Sequence, residues 1–280
     1  MDAVEIKIPL PHMTLGARAW GPEDGKPVLA LHGWLDNAAT FDLIAPLLKG
    51  VRLVCLDTPG HGLSDHRPPG VFYHFIDNIT EVMLAADWLG WDKFNLMGHS
   101  MGAGLATLAA GSFPDRIERL ALIEGIGPMS NQAKDAPGLI KEAHEHMAAL
   151  AGKTPPRYKN PEQALKARMT SFPLAESGAR ILVNRGLKKS GDIWEWTSDP
   201  RLTLRSRLRL TEDQVRAFLS EIACPTMLLL GESSQARKMA IITERQPFVS
   251  QLDVRTLPGG HHLHLEHPEE VAEAFNEFLQ

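Results

Sequence analysis

Cysteine and tyrosine are scarce in this chain of 280 residues, with two of each. The two cysteines, Cys55 and Cys224, sit in or beside apolar strand-like runs. They exclude a disulfide-built scaffold and read as buried, reduced thiols, so a reducing compartment, the cytoplasm, is expected. No CxxC pair, HExxH helix or ligand-spaced cluster stands in the sequence, and neither a metal nor a cofactor is expected. A dominant charge of one sign is also missing. The formal net charge of -5 leaves no electrostatic footprint for nucleic acid or an anionic membrane. The basic stretch from Arg201 to Arg209 interleaves arginine with apolar residues and reads as one solvated face. No apolar run approaches the roughly 20 residues of a membrane span. The start, Met1-Asp2-Ala3-Val4-Glu5, is acidic and soon reaches Pro9 and Pro11, so no leader is expected. The end, Glu277-Phe278-Leu279-Gln280, matches no retention or lipidation signal.

What remains is an ordinary soluble composition, 44% hydrophobic and 22% charged, long enough for one large α/β domain or one domain with an insertion. Two strands, Val4–Ile8 and Met13–Trp20, lead into an alternation of apolar strands and helices. The strands are Pro27–Leu31, Val51–Leu56, Phe94–Met97 and Ile117–Ile123; the helices are Ala38–Leu48, Phe75–Leu89 and Met101–Ser112. Alternation of this kind predicts a parallel sheet covered on both faces. It stops near Gly125 and resumes with Pro225–Leu230, Ala236–Arg245, Leu252–Leu257 and Pro268–Leu279. The intervening stretch reads as helices (Gly138–Leu150, Pro161–Ser171, Thr211–Ile222) joined by loops that contain Lys188–Gly191 and Trp194–Trp196. A core of residues 1–127 and 223–280, with a helical cap of residues 128–222 over the C-terminal edge of the sheet, is the expected organisation. That edge is where open α/β sheets place ligands.

One segment carries chemistry. Phe94–Met97 runs into Gly98-His99-Ser100-Met101-Gly102 and then into a small-residue helix. A serine hydroxyl is a poor nucleophile unless it is exposed, next to a base and beside oxyanion donors. A sharp strand-to-helix turn gives the exposure, and the two glycines let strand and helix approach. The Met101 N–H opens the helix and has no intrahelical acceptor, and Gly33 allows the Trp34 N–H to approach a ligand. Together they predict a two-donor oxyanion hole. A base must come from a loop after a late strand, and the run Gly259-Gly260-His261-His262-Leu263-His264-Leu265-Glu266-His267 lies there. Glu124 ends the apolar strand Leu120–Ile123, where a carboxylate is costly unless a hydrogen-bonding or cationic partner accepts it. His261 is the expected partner. Asp57 opens a Pro-Gly turn and reads as a backbone anchor for that loop.

At His32-Gly33-Trp34, Asp57-x-Pro59-Gly60-His61-Gly62-x-Ser64, Gly98-His99-Ser100-Met101-Gly102 and Gly260-His261…His264-x-Glu266-x-Pro268 the chain resembles the α/β-hydrolase superfamily. The resemblance is to its serine-hydrolase-like branch, beside haloalkane dehalogenases and Renilla-type luciferases. It implies a mostly parallel eight-stranded sheet with helices on both faces and an inserted cap. The family histidine precedes the Glu-x-Pro glutamate by five positions, which selects His261 over His262. The commonest acid position falls on Ser234, a departure from the family. The dehalogenase branch carries its acid at the end of strand six, to which Glu124-Gly125-Ile126-Gly127-Pro128 is similar; Glu232 is the alternative.

A serine nucleophile speaks against dehalogenase chemistry, because an alkylated serine is an ether that water does not cleave. The expected substrate is therefore a small carboxylic ester, cleaved by Ser100, His261 and Glu124. Lactone, thioester or carbon–carbon bond hydrolysis by the same residues are alternatives, as is a ligand-binding protein on a hydrolase fold. Trp34, Met101, Met129 and Trp194 are the candidate pocket residues, with Met147, Phe172 and Trp196 behind them. The expected partner is a small ester-like molecule, with no nucleic acid and no membrane. A homodimer is left open.

Overall fold

A computed structural model describes residues 3–151, 155–171 and 173–280; Phe172, named above, lies outside them. In chain order the first elements are β1 (Val4–Pro9), β2 (Thr14–Trp20), β3 (Lys26–Leu31), β4 (Val51–Leu56), α1 (Asn78–Trp88), β5 (Phe94–His99), α2 (Met101–Ser112) and β6 (Ile117–Ile123). An insertion follows with α3 (Ala136–Ala151), β7 (Arg157–Tyr158), α4 (Pro161–Ser171), α5 (Glu176–Gly186), β8 (Leu187–Ser190), β9 (Ile193–Trp196) and α6 (Glu212–Ser220). The chain closes with β10 (Thr226–Gly231), α7 (Ala240–Arg245), β11 (Leu252–Leu257), α8 (Leu263–Glu266) and α9 (Pro268–Phe278).

Eight strands form one sheet in the order β1-β2-β4-β3-β5-β6-β10-β11. Only the β1–β2 and β2–β4 pairings are antiparallel. Every residue of β5 and β10 is buried, as a strand covered on both faces requires. One face is covered by α1, α2, α6 and α7, through residues such as Val82, Leu105, Val215 and Ile242. The other is covered by the segment after β3, through Phe41 and Ile44, and by α9, through Val271 and Phe275. The α/β-hydrolase fold anticipated from the motifs is thus present, with β3, β5, β6, β10 and β11 ending at one edge. No described helix is long and apolar enough to cross a membrane.

Local expectations changed in a few places. Residues 38–48 form two 3-10 turns, Ala38–Phe41 and Ala45–Leu47, instead of one helix. Pro46 lacks a donor and its ring obstructs the carbonyl four residues earlier, so a continuous helix cannot form there. The insertion is mixed rather than purely helical: Lys188–Ser190 and Trp194–Trp196, read as loops, belong to a three-stranded antiparallel sheet, β7-β9-β8. Helix α5 is a further element, not among those expected from the sequence. The insertion has its own small apolar cluster around Leu165, Leu182 and Leu187, whereas α6 contributes Val215 and Leu219 to the main core.

Candidate active site

Ser100 stands at the turn from β5 to α2 with φ 53 and ψ -110. Its N–H donates to the Ile123 carbonyl at 2.8 Å, and its carbonyl accepts the first α2 hydrogen bond, from Gly104 N–H, at 3.1 Å. The flanking glycines are compulsory. A Cβ on Gly98 would lie 2.3 Å from the Gly102 oxygen, and one on Gly102 would lie 2.1 Å from the Leu31 oxygen. The other described non-glycine residues with positive φ are Leu35 and Glu124. All three flank the same edge of the sheet: Leu35 in the loop after β3, Ser100 after β5, and Glu124 after β6. Such conformations cost about 1–3 kcal/mol each and gather where function requires a particular aim.

The three residues singled out in the sequence come together. His261 Nε2 lies 2.9 Å from Ser100 Oγ, and His261 Nδ1 lies 3.0 Å from Glu124 Oε2. A carboxylate can only accept, so Nδ1 carries the proton and the Nε2 lone pair faces the serine hydroxyl. The Glu124 side chain is fully buried while that of His261 is 43% exposed, so the chain of groups leads from a dry interior to an open face. Among the described residues His261 is the only ion-pair partner of Glu124. The carboxylate otherwise accepts from Gly231 N–H, at 2.7 Å, and from the Ser234 hydroxyl. Glu232, the alternative acid, is exposed, and no hydrogen bond joins it to His261.

Met101 and Trp34, whose N–H groups are the expected oxyanion donors, follow β5 and β3 at the sheet edge that carries Ser100. Met101 is the first residue of α2, ahead of the first intrahelical bond, and is half-buried at the margin of the core. Trp34 follows β3 in a turn closed by Asp36 N–H on the Gly33 carbonyl, at 3.1 Å. His32 braces this turn: its Nδ1 bonds the Gly33 carbonyl at 2.7 Å while its Nε2 accepts from Thr58 N–H at 3.1 Å. Burial holds the His32 imidazole below its ordinary pKa, in the neutral form that this pairing needs. Of the pocket candidates, Trp34 is exposed, its indole N–H on the Leu202 carbonyl of the insertion at 3.0 Å. Met129 is exposed, and Trp194 packs against the apolar cluster of the insertion. Asp57 is fully buried and accepts from Ala38 N–H, Leu63 N–H and Arg185, an anchoring role.

Behind His261 lies a group that sequence spacing did not reveal. His262 Nε2 meets Asp36 Oδ2 at 3.2 Å, and His99 Nδ1 lies 3.7 Å from the same oxygen. His99 Nε2 bonds the His261 carbonyl at 2.8 Å, and His264 Nε2 bonds Thr40 Oγ1 at 2.8 Å. Burial, followed by the neighbouring imidazoles, pushes His99 and His264 well below the usual histidine pKa. Burial alone would raise Asp36, but its bond to His262 and the Arg168 guanidinium prevail and hold it well below the usual carboxylate range. The ligand-type atoms of Asp36, His99 and His262 lie within 4.8 Å of one another, a grouping that could receive a cation by distance. Arg168, from α4, already pairs with the other Asp36 oxygen, so the carboxylate is neutralised by the protein itself.

A model of the alpha/beta hydrolase fold family matches residues 26–268. The chain is 36% identical to a serine hydrolase-like protein of Dictyostelium discoideum, over 95% of this chain and 78% of that one. It is 43% identical to a hypothetical protein of Pseudomonas aeruginosa PAO1 whose crystal structure superposes with a TM-score of 0.92, covering 98% and 96% of the two chains. It is also similar to a thioesterase domain from the curacin biosynthetic pathway, at 25% identity and a TM-score of 0.84, covering 98% and 99%. A family match that runs from β3 to the start of α9, on a chain with this sheet order and this serine turn, leaves one assignment: the chain belongs to the α/β-hydrolase family.

Proposed function

We propose that the protein is a serine hydrolase that cleaves a small carboxylic ester through an acyl-enzyme. The observation that carries this reading is the continuous line from Ser100 Oγ through the two His261 nitrogens to Glu124, with contacts of 2.9 and 3.0 Å. Ser100 attacks the carbonyl carbon while His261 Nε2 takes the hydroxyl proton. The imidazolium that forms is stabilised by the buried Glu124 carboxylate, which also keeps Nδ1 protonated. The N–H groups of Trp34 and Met101 receive the developing oxyanion, an interaction worth roughly 3–4 kcal/mol per donor in comparable sites. His261 then returns its proton to the leaving alcohol. A water molecule, deprotonated by the same nitrogen, releases the acid. The insertion of residues 128–222 acts as the cap that limits acyl and alcohol size, with Met129 and Trp194 on it and Trp34 facing it from the core.

The serine hydrolase-like names of its relatives support a hydrolase. A thioester is the second reading, favoured by the similarity to the curacin thioesterase domain. The test is hydrolysis of short nitrophenyl esters and of matched acyl thioesters by the wild type and Ser100→Ala. Burst kinetics and turnover that vanish with the hydroxyl are expected. Equal turnover by Ser100→Ala would remove the serine from the mechanism.

A further inference from the structure

We propose that Ser234 is a positioning residue: it sets the aim of Glu124 and the negative charge that Glu124 presents to His261. This rests on the roles of Ser100, His261 and Glu124 given above. Ser234 lies three residues beyond Gly231, in a turn closed by its own N–H on the Gly231 carbonyl at 3.1 Å. It is 2% exposed. Its hydroxyl oxygen accepts from Ala236 N–H at 3.0 Å, and its proton is given to Glu124 Oε2. That oxygen is also the one that meets His261 Nδ1, at 3.0 Å.

Two protons therefore converge on one carboxylate oxygen, while Gly231 N–H holds the other at 2.7 Å. The three donors lock the carboxylate plane, because rotating it would break the Ser234 and Gly231 bonds together. A donor to Oε2 also draws negative charge from the atom that faces the imidazole. Ser234 thus moderates how strongly Glu124 favours the imidazolium. Without its proton, Oε2 would act on His261 alone, favouring the charged base while aiming it less well. A hydroxyl that only capped Ala236 N–H would hold the turn and do neither.

The test is the second-order rate constant for labelling of Ser100 by a fluorophosphonate probe between pH 5 and 9. It is measured for the wild type, Ser234→Ala, Ser234→Cys and Glu124→Gln, with melting temperatures alongside. Cysteine keeps the shape of serine but is a weak donor, and it serves if the alanine variant does not fold. The acid limb of the profile should move to higher pH by about half to one unit in both Ser234 variants. The plateau should fall about threefold to tenfold from poorer aim. Profiles with the wild-type midpoint, beside a strongly impaired Glu124→Gln, would reduce Ser234 to a turn cap whatever the melting temperatures. Wild-type labelling of Glu124→Gln would instead remove Glu124 from the site, and the proposal with it.

Discussion

Two buried carboxylates stand on either side of the His261 loop, and they are compensated in different ways. Asp36 meets a guanidinium, from Arg168, and the His262 imidazole. Glu124 meets a backbone N–H, a hydroxyl and His261, with no lysine or arginine paired to it among the described residues. A buried charge without a permanent counterion has attraction left over for a cation that appears only transiently. An imidazolium at His261 is such a cation. Asp36, already neutralised, has no such reserve, and its place is structural: it ties α4 of the insertion to the loop after β3 and supports the back of the base loop. Charge near a histidine is thus a poor guide to catalysis unless its existing partners are counted.

The largest effects should appear where the line of groups is cut. Ser100→Ala should abolish probe labelling and hydrolysis with an unchanged melting curve, since only a hydroxyl is removed. Glu124→Gln should lower the labelling rate by about 10³–10⁴-fold with little change in stability, because the amide loses the charge and favours the wrong tautomer. Asp36→Asn should behave in the opposite sense. Breaking this buried ion pair should cost about 3–5 kcal/mol in denaturant unfolding, while the protein that stays folded labels within about tenfold of the wild-type rate. His262→Ala should follow Asp36→Asn, and His261→Ala should follow Glu124→Gln. If both histidine variants lost activity equally, the division between the two carboxylates would fail.

A smaller effect concerns pH. His32, His61, His99 and His264 are all held below the ordinary histidine pKa, chiefly by burial. In the unfolded chain each takes up a proton as pH falls through about 6.5, whereas in the folded protein it does not. The unfolded state then binds more protons, so stability is complete above that pH and declines below it. Each group adds up to about 1.4 kcal/mol per pH unit to the slope. Melting temperatures should therefore fall between pH 6.5 and 5, and His264→Asn should flatten the slope.

The comparison also shows which parts of the molecule were legible in the chain. Ser100 and Met101 lie in one local motif, and the strained turn follows from two glycines that no other residue can replace. Glu124 could be read because an apolar strand ended on a carboxylate, an anomaly visible in four residues. The cluster around Asp36 could not be read in this way. Its members come from the loop after β3, the end of β5, α4 and the loop after β11, and only the sheet order makes them neighbours. The short strands at 187–190 and 193–196, a local hairpin, were not legible for a different reason. Leu187-Lys188-Lys189-Ser190 gives no apolar alternation and Trp194-Glu195-Trp196 alternates over three residues only, and the pairing itself makes the strands. The partnership of Ser234 with Glu124 spans β6 and β10, which are adjacent in the sheet but more than a hundred residues apart.

Glu124, rather than Asp36, is the charge proposed to serve the base. The most direct measurement is the fluorophosphonate labelling rate of Glu124→Gln and Asp36→Asn side by side, at neutral pH and at a temperature where both are folded, with the adduct located by mass spectrometry. The predicted result is an adduct on Ser100 that forms about a thousandfold more slowly in Glu124→Gln and within about tenfold of the wild-type rate in Asp36→Asn. The reverse order, or an adduct on another residue, would contradict the account.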